Sequence, residues 1–257
     1  MLWPVFTPQG PSLRELARQA LSSVEHGYDL LAPKFDHTPF RTPDAVLTPV
    51  ANLLRRLGPF DAGLDLCCGT GAGVGVLQEV CRVRVAGIDL SAGMLDVARR
   101  NASRRAPDTP AEVPAHWVRG DALALPFGPV FDLVVSFGAF GHFLPAQRPA
   151  LFAQVRQVLR PGGRFAFPLP APARPGSYAH LAMLGFDAVM RVRNALWRPP
   201  FVMYYRGFTL AAVTAELRAA GFGVTTYALD EPGRREDGAP RCRMLVATRL
   251  PPDIKTV

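Results

Sequence analysis

The sequence predicts an α/β fold: a doubly wound, mostly parallel sheet of seven strands, with an N-terminal helical lid and an insertion after the fifth strand. Three observations indicate this class. Between residues 61 and 168, short apolar runs alternate with segments of helical periodicity. The run FDLVVSF (131–137) is almost continuously apolar, as in a central parallel strand covered on both faces. Two final strand-like runs, 223–231 and 241–250, are joined by a polar turn.

The lid is assigned to residues 1–60. Ser12 is followed three residues later by Glu15, a capping-box pattern, and apolar residues continue at helical spacing as far as Val24. A loop rich in Pro and Thr comes next, and a second helix is expected from about Pro43 to Leu57. Because these helices precede the first strand, we expect them to cover the sheet rather than form a domain.

The core, residues 61–168, alternates strands and helices. The predicted strands are GLDLCC (63–68), RVRVAGIDL (82–90), HWVRGD (116–121), FDLVVSF (131–137) and GRFAFPL (163–169). The predicted helices are AGVGVLQEV (72–80), SAGMLDVARRNASRR (91–105) with Ser91 as its N-cap, and QRPALFAQVRQVLR (147–160), expected to end at Pro161-Gly162-Gly163. Residues 169–207 break this rhythm and are interpreted as an insertion over the strand ends. Residues 208–250 add a last helix, stopped by Gly221, and the terminal strand pair, completing one domain.

Composition limits the partners. The formal net charge is +8, yet the arginines are dispersed rather than grouped with aromatic residues, which favours solvated helix faces over a nucleic-acid surface. The four cysteines lack metal-binding spacing, so no metal site is predicted. No apolar run approaches the roughly 20 residues of a membrane span, and no cleavable leader pattern opens the chain. We therefore expect a cytoplasmic protein without a membrane partner, either a monomer or a homodimer.

Three polar signals fall at the ends of three successive strands. The first strand runs into DLCCGTGAG (65–73), where glycines let the backbone approach a ligand closely. Asp89 lies eighteen residues beyond Gly71, which suits a carboxylate that binds both hydroxyls of a ribose. Asp121 follows the third strand. The carboxyl ends of parallel strands share one edge, so a nucleoside site is predicted there. The glycines run G-x-G-x-G rather than G-x-G-x-x-G, which weakens a nicotinamide interpretation.

From Gly63 to about Leu169 the motifs resemble those of the class I S-adenosylmethionine-dependent methyltransferases, in particular the small-molecule type 11/25 and ubiquinone-biosynthesis-like groups. LDLCCGTGAGVGVL is similar to their first motif, GIDLSAGMLDVAR to the second and RGDALALPF to the third. FDLVVSFGAFGHF and LRPGGRFAF resemble the segments around the fourth and fifth strands. One departure is Cys67, which stands where the usual motif has its first glycine.

The resemblance implies S-adenosylmethionine as the cofactor and a role for each matching position. The positions implied to bind the methionine part are Asp65, Cys67, Gly69, Thr70 and Gly71, with Ser136 beside the sulfonium. Those implied to bind the nucleoside are Asp89 on the ribose hydroxyls, Leu90 and Met94 near the adenine, and Asp121 with Ala122 at the adenine amino group. In the lid, Tyr28 and Phe35 resemble the family's YDxxAxxYD element, and Arg41 pairs with the cofactor carboxylate; alternatively, all three are packing or surface residues.

Methyl transfer depends mainly on alignment, and an alcohol or phenol acceptor also needs a base. His142, just after the fourth strand, is the candidate base, against the alternative of a loop-lining histidine. Apolar residues of the insertion suggest either a pocket for the acceptor or a helix packed on its own sheet: Phe186, Met190, Trp197, Phe201, Met203, Tyr204 and Tyr205. The expected function is methyl transfer to O, N, C or S of a small molecule. An RNA- or protein-directed methyltransferase and a non-catalytic cofactor-binding protein remain alternatives.

Overall fold

A seven-stranded sheet forms the centre of the protein in a computed structural model that describes residues 8–105, 113–204 and 208–251. Its strands are β1 (Phe60–Leu66), β2 (Cys81–Asp89), β3 (Ala115–Arg119), β4 (Phe131–Val135), β5 (Leu159–Pro170), β6 (Phe222–Arg234) and β7 (Pro240–Arg249). Their spatial order is β3-β2-β1-β4-β5-β7-β6. β1 to β5 pair in parallel, and β7 pairs antiparallel with both β5 and β6. The predicted fold class is confirmed.

Eight α-helices surround this sheet in the described part of the chain. They are α1 (Leu13–Ala20), α2 (Val24–Leu31), α3 (Asp44–Leu57), α4 (Ala72–Val80), α5 (Ala92–Arg105), α6 (Arg148–Val158), α7 (Tyr178–Leu196) and α8 (Leu210–Ala219). Short 3-10 helices lie at Ala32–His37, Ala139–His142 and Pro145–Gln147. Within the described ranges, no helix is both long and apolar enough to cross a membrane.

Several local predictions are confirmed at their caps. Ser12 and Glu15 form a reciprocal capping box at the start of α1. The Ser91 hydroxyl accepts a hydrogen bond from the Met94 amide at 3.1 Å at the start of α5. Gly221, with φ of +84°, follows the end of α8. Each of these signals is local, because the residues that make it lie within one turn of each other.

The two faces of the sheet are both buried, which explains the continuous apolar run of β4. Phe131 and Val134 pack into one core with α6 and α8. Leu133 and Val135 point to the opposite face, into a second core with α3 and α4. A strand covered on both sides is apolar at most positions, and the one exception in β4, Asp132, accepts the backbone amides of Asp61 and Ala62 at 3.0 Å each. The reversal of strand order between β1 and β4 opens a crevice at their carboxyl ends.

Two predicted boundaries are wrong. The helix expected to continue to Pro161-Gly162-Gly163 ends at Val158, and that segment belongs to β5. The segment is extended because Leu159 pairs with Phe131 of β4. The next pair of the register is Leu133 with Arg164, so a register shift accommodates residues 160–163. The N-terminal helix predicted to reach Val24 stops at Ala20, because Ser23 caps a new helix by accepting the amide of His26 at 3.1 Å.

The insertion is bonded to the lid. The Arg193 guanidinium of α7 donates to the carbonyls of Ala20 and Ser22, at 2.7 and 2.9 Å. The Trp197 indole N–H donates to the Leu21 carbonyl at 3.1 Å. The interpretation of this helix as one packed on its own sheet is therefore wrong, since its hydrogen bonds and its buried Met190 face lid residues.

Candidate functional site

The turn after β1 is shaped by three residues with left-handed backbone conformations. Cys67, Gly69 and Gly71 have φ values of +57°, +50° and +88°. A Cβ on Gly71 would lie 2.8 Å from the Trp117 ring, so glycine is required there for both reasons. The Gly69 amide donates to a carboxylate oxygen of Asp89 at 2.8 Å, which ties the turn to the end of β2.

Cys67 carries strain that a glycine would not. A non-glycine residue in the left-handed region costs about 1–2 kcal/mol, which explains why related motifs have glycine at this position. The side chain also lies among the acids of the site. Burial raises the pKa of the Cys67 thiol well above its usual range, and the charges of Asp89, Asp65 and Asp121 raise it further. The three acids therefore lie around one residue, and their role in binding a ligand stays a prediction.

The strain predicts the response of stability to substitution. Cys67→Val is expected to lower the free energy of unfolding by about 1–3 kcal/mol, because a β-branched residue tolerates positive φ poorly. Cys67→Gly is expected to stay within about 1 kcal/mol of the wild type, since relief of strain offsets the greater freedom of the unfolded chain. Urea titration measures both, with Cys67→Ala as the control for loss of the sulfur. A valine variant as stable as the alanine variant would contradict the strain.

Asp65 is a buried carboxylate with spare bonding capacity. Its side chain is 1% exposed, and one oxygen has no hydrogen-bond partner among the described residues. Burial raises the pKa of Asp65 well above its ordinary value, and the charge of Asp89 adds to the effect. A buried, unmatched carboxylate oxygen is costly unless a donor or cation meets it. This position therefore suits a positively charged ligand group.

Asp89 lies at the end of β2 and is held by the backbone. One carboxylate oxygen accepts the Gly69 amide at 2.8 Å and the other accepts the Ser91 amide at 2.9 Å. Burial raises the pKa of Asp89, although these backbone bonds oppose the shift. Each carboxylate oxygen has a second lone pair, so the fixed side chain can still accept hydrogen bonds from a ligand.

The remaining predicted positions differ in exposure. Asp121 is exposed, and one of its carboxylate oxygens accepts the Leu123 amide at 2.8 Å. Leu90 is 41% exposed, whereas Met94 is 1% exposed and belongs to the interior. Ser136 is buried, and its hydroxyl donates to the Leu66 carbonyl at 2.9 Å. Ala122, next to Asp121, is buried as well.

Two aspartates of the lid, which sequence reasoning did not select, fasten it to the crevice. Asp29 accepts the Ser91 hydroxyl at 2.5 Å and the Gly93 amide at 2.9 Å. Asp36 accepts the buried Thr70 hydroxyl at 2.6 Å and the Asn101 side chain at 3.0 Å. The available signal was their place directly after Tyr28 and Phe35 in the segment YDLLAPKFD.

Two lid residues predicted to bind the cofactor, Phe35 and Arg41, lie in different surroundings. The Phe35 ring approaches Gly69, with 4.0 Å to the position that a Cβ there would occupy. Arg41 forms ion pairs with Asp44 at 3.0 Å and with Asp36 at 3.9 Å. Its guanidinium therefore serves the lid in this conformation, and its predicted pairing with a cofactor carboxylate stays a prediction.

Tyr28 and His142 form a hydrogen-bonded pair between the lid and the strand ends. The Tyr28 hydroxyl lies 2.8 Å from His142 Nε2, and His142 Nδ1 lies 2.7 Å from the Val202 carbonyl oxygen. A carbonyl only accepts, so Nδ1 carries the proton and, in the neutral ring, Nε2 accepts from Tyr28. Burial lowers the pKa of His142, which favours that neutral form. The arrangement is that of a base with its lone pair turned toward the lid.

Behind this pair lies an apolar cluster. Met190, Phe201 and Met203 of the insertion are buried, with Tyr28 and Phe40 of the lid packed on them. Tyr204 belongs to the same cluster. By contrast, Phe186 and Trp197 are 39% and 51% exposed, so their predicted place in a pocket lining is wrong. Tyr205 lies outside the described residues.

The crevice and its acids suit a nucleoside ligand on a Rossmann-like fold, and comparison with known proteins assigns the core to a domain family. Residues 64–163 match the family model of a methyltransferase domain. The O-methyltransferase cnsE of Penicillium expansum is 31% identical over 183 residues, which are 70% of this chain and 57% of that protein. A 2-phytyl-1,4-naphtoquinone methyltransferase of Synechococcus elongatus is 31% identical over 156 residues, 57% of this chain and 63% of that protein. The chain thus spans less than two thirds of either relative.

Among solved structures, the magnesium protoporphyrin IX methyltransferase of Synechocystis has the same fold. Its TM-score is 0.55 at 18% identity, and the match covers 79% of this chain and 81% of that one. Residues 64–163 are thus a methyltransferase domain of the S-adenosylmethionine-dependent class, with S-adenosylmethionine as the cofactor of that domain.

The residues present fit that cofactor. Its sulfonium and ammonium groups are cationic, and the crevice gathers Asp65, Asp89 and Asp121 around one turn. The unmatched buried oxygen of Asp65 needs a donor, which an ammonium group provides. Gly69 and Gly71 present backbone rather than side chains to the crevice. The site therefore has the charge and the access that the cofactor requires.

The lid contacts predict a specific effect on cofactor affinity. Asp36→Ala removes the acceptor of Thr70 and Asn101, and hydrogen bonds to a charged group contribute about 1.5–3 kcal/mol each. We expect the Kd for S-adenosylmethionine, measured by calorimetry, to rise at least about tenfold, because the turn and the lid lose their connection. Asp44→Ala is the matched control, since Asp44 also pairs with Arg41 but is exposed. Equal effects of the two substitutions would refute the role of Asp36.

Proposed function

We propose that this protein transfers a methyl group from S-adenosylmethionine to a hydroxyl oxygen of an apolar small molecule. The observation that carries the proposal is His142, whose Nε2 lone pair faces the lid and whose burial lowers its pKa. Transfer to an alcohol or phenol needs a base, whereas transfer to an amine often does not. The name of the Penicillium relative, an O-methyltransferase, supports the same choice.

Cofactor binding is assigned to the strand ends. Asp89 would accept the two ribose hydroxyls, since its backbone bonds leave one lone pair free on each oxygen. Asp65 would receive the ammonium group, directly or through water. Asp121, exposed beside Ala122, would accept the adenine amino group, and Leu90 offers an exposed apolar side chain nearby. Met94 is buried, so it would pack beneath the adenine site rather than line it.

The acceptor is assigned to the space between the lid and the insertion. The apolar cluster around Met190 and Phe201 would bind its ring or chain, and Tyr28 links this cluster to His142. Gly27 allows α2 to approach the Phe201 ring closely, since a Cβ at this position would lie 2.6 Å from that ring. An acceptor hydroxyl would replace the Tyr28 hydroxyl as the donor to Nε2.

The chemistry then needs little beyond alignment and one proton transfer. When bound, the cofactor supplies an electrophilic methyl group on a positive sulfur. His142 Nε2 would take the proton of the acceptor hydroxyl as the hydroxyl oxygen bonds the methyl carbon and the carbon–sulfur bond breaks, with a neutral thioether as the leaving group. The Val202 carbonyl, accepting from Nδ1–H, orients the ring and stabilises its cationic form.

The test is a screen with methyl-labelled S-adenosylmethionine against matched phenols, aromatic amines and thiols, followed by mass spectrometry of the labelled product. We expect label in methyl ethers, with the amine and thiol analogues at least about tenfold slower, because the site would align a hydroxyl that donates to His142 Nε2. Label found only on nitrogen, carbon or sulfur would reject the hydroxyl acceptor. Label recovered only in RNA or protein would reject a small molecule altogether.

A further inference from the structure

The outer face of α7 is apolar and unpartnered among the described residues. Tyr178, Leu181, Val189, Val192 and Leu196 are between 57% and 82% exposed, and they recur at helical spacing on one side. The charged residues of α7 lie elsewhere. Asp187 is buried, Arg191 stacks on Tyr204 at 4.8 Å, and Arg193 binds lid carbonyls. Monomeric soluble proteins rarely expose so continuous an apolar surface, so it indicates an interaction site.

The surface continues onto the lid. Trp197, 51% exposed, donates to the carbonyl of Leu21, the residue after α1; Leu21 is 49% exposed and Leu13 of α1 is 83% exposed. Aromatic residues thus stand at both ends of the helix face, Tyr178 at one and Trp197 at the other. Tyr and Trp favour the boundary between water and lipid, because one part of each side chain is apolar and another is polar.

The elements that carry this surface also carry exposed arginines. Arg14 and Arg18 lie on α1 and Arg198 directly follows Trp197, and none of the three has an ion-pair partner in the structure over residues 8–105, 113–204 and 208–251. The neighbouring Glu15 is paired with Lys34 at 2.8 Å. A second copy of the chain would bring two such arginine groups together, whereas an anionic surface would neutralise them.

We propose that the outer face of α7, with the exposed leucines of α1, binds the surface of an anionic lipid bilayer. The helix would lie in the interface with its apolar side chains in the headgroup boundary and the arginines at lipid phosphates. Such binding needs no membrane-spanning helix, and it departs from the expected absence of a membrane partner, which was based on the length of the apolar runs. The proposal is independent of the acceptor, because it rests on surface residues outside the cofactor crevice.

The test is co-sedimentation with vesicles of phosphatidylcholine alone or with about 30% phosphatidylglycerol. We expect the wild type to bind the anionic vesicles at least about tenfold more tightly, and about 0.5 M salt to abolish the difference. Val189→Gln/Val192→Gln removes apolar contact without changing charge and should weaken binding about tenfold. Ala179→Gln, exposed on α7 outside the stripe, is the matched control and should stay within about twofold.

A second variant addresses the charges. Arg14→Gln/Arg18→Gln should lower binding to anionic vesicles and leave the weak binding to neutral ones unchanged. Circular dichroism verifies that all variants remain folded. Equal binding of wild type to both vesicle types, or of the valine variant and its control, would overturn the proposal. So would a lipid-free dimer in sedimentation velocity that only the valine variant dissociates. No measurement involves turnover, so failure here is separate from failure of the proposed function.

Discussion

Asp89→Ala is expected to raise the Kd for S-adenosylmethionine at least about a hundredfold. Two hydrogen bonds from ribose hydroxyls to a carboxylate contribute about 1.5–3 kcal/mol each, and 1.4 kcal/mol corresponds to a factor of ten. The substitution also frees the Gly69 and Ser91 amides, so both turns that face the nucleoside lose a fixed anchor. Calorimetric titration measures the change directly and needs no acceptor.

Two further variants distinguish the loss of the ribose contacts from a general loss of structure around the site. Asp96→Ala removes another carboxylate of the same region, exposed on α5 and paired with Arg99, and should leave the Kd unchanged within about twofold. Asp89→Asn retains the shape and one acceptor oxygen, and should lie between wild type and alanine. If Asp89→Ala binds as tightly as Asp96→Ala, the nucleoside is placed wrongly and the proposed site fails.

His142→Ala is expected to lower kcat about a hundredfold to ten-thousandfold for a hydroxyl acceptor, the range that a positioned base contributes. Cofactor affinity should change little, because His142 is bonded to Tyr28 and Val202 rather than to the three acids. His116→Ala, an exposed histidine on β3, is the control. A loss below about fivefold would remove His142 as the base and leave it as a residue that orders the lid.

The pH dependence of kcat provides an independent test of His142 as the base. Burial lowers the pKa of His142, so the neutral, active form persists at neutral pH and is lost only as pH falls below the usual histidine value of about 6.5. We expect kcat at saturating cofactor to be flat above neutrality and to fall on the acidic side. This fall of kcat at acidic pH should be absent in His142→Ala. If it persists in that variant, another group causes it.

Much of the cofactor half of the site is readable along the chain. Asp65, Asp89 and Asp121 are found by one rule, since each lies at or just beyond the carboxyl end of a parallel strand and such strands end at one edge. The glycine turn is readable because positive φ values favour glycine. Cys67 is an exception, since it has a positive φ and is not a glycine. These signals are local, so neither the lid nor the insertion is needed to see them.

The acceptor half is not readable in this way. The bonds of Asp36 to Thr70 and of Tyr28 to His142 join residues 34 and 114 positions apart. No periodicity records such a pairing, because it depends on how the lid is oriented on the sheet. The boundary of α6 was missed for a related reason, since pairing with β4 overrides the helical pattern at Leu159.

The sequence by itself determined the sheet, its order of strands and helices, and the acids at the strand ends, because strand period and turn chemistry are properties of neighbouring residues. Only the tertiary structure decided which lid residues fasten the crevice, that His142 lies between Tyr28 and the Val202 carbonyl, and that α7 presents an apolar face outward. Those properties arise from burial and from contacts between distant segments, which exist only once the chain has folded.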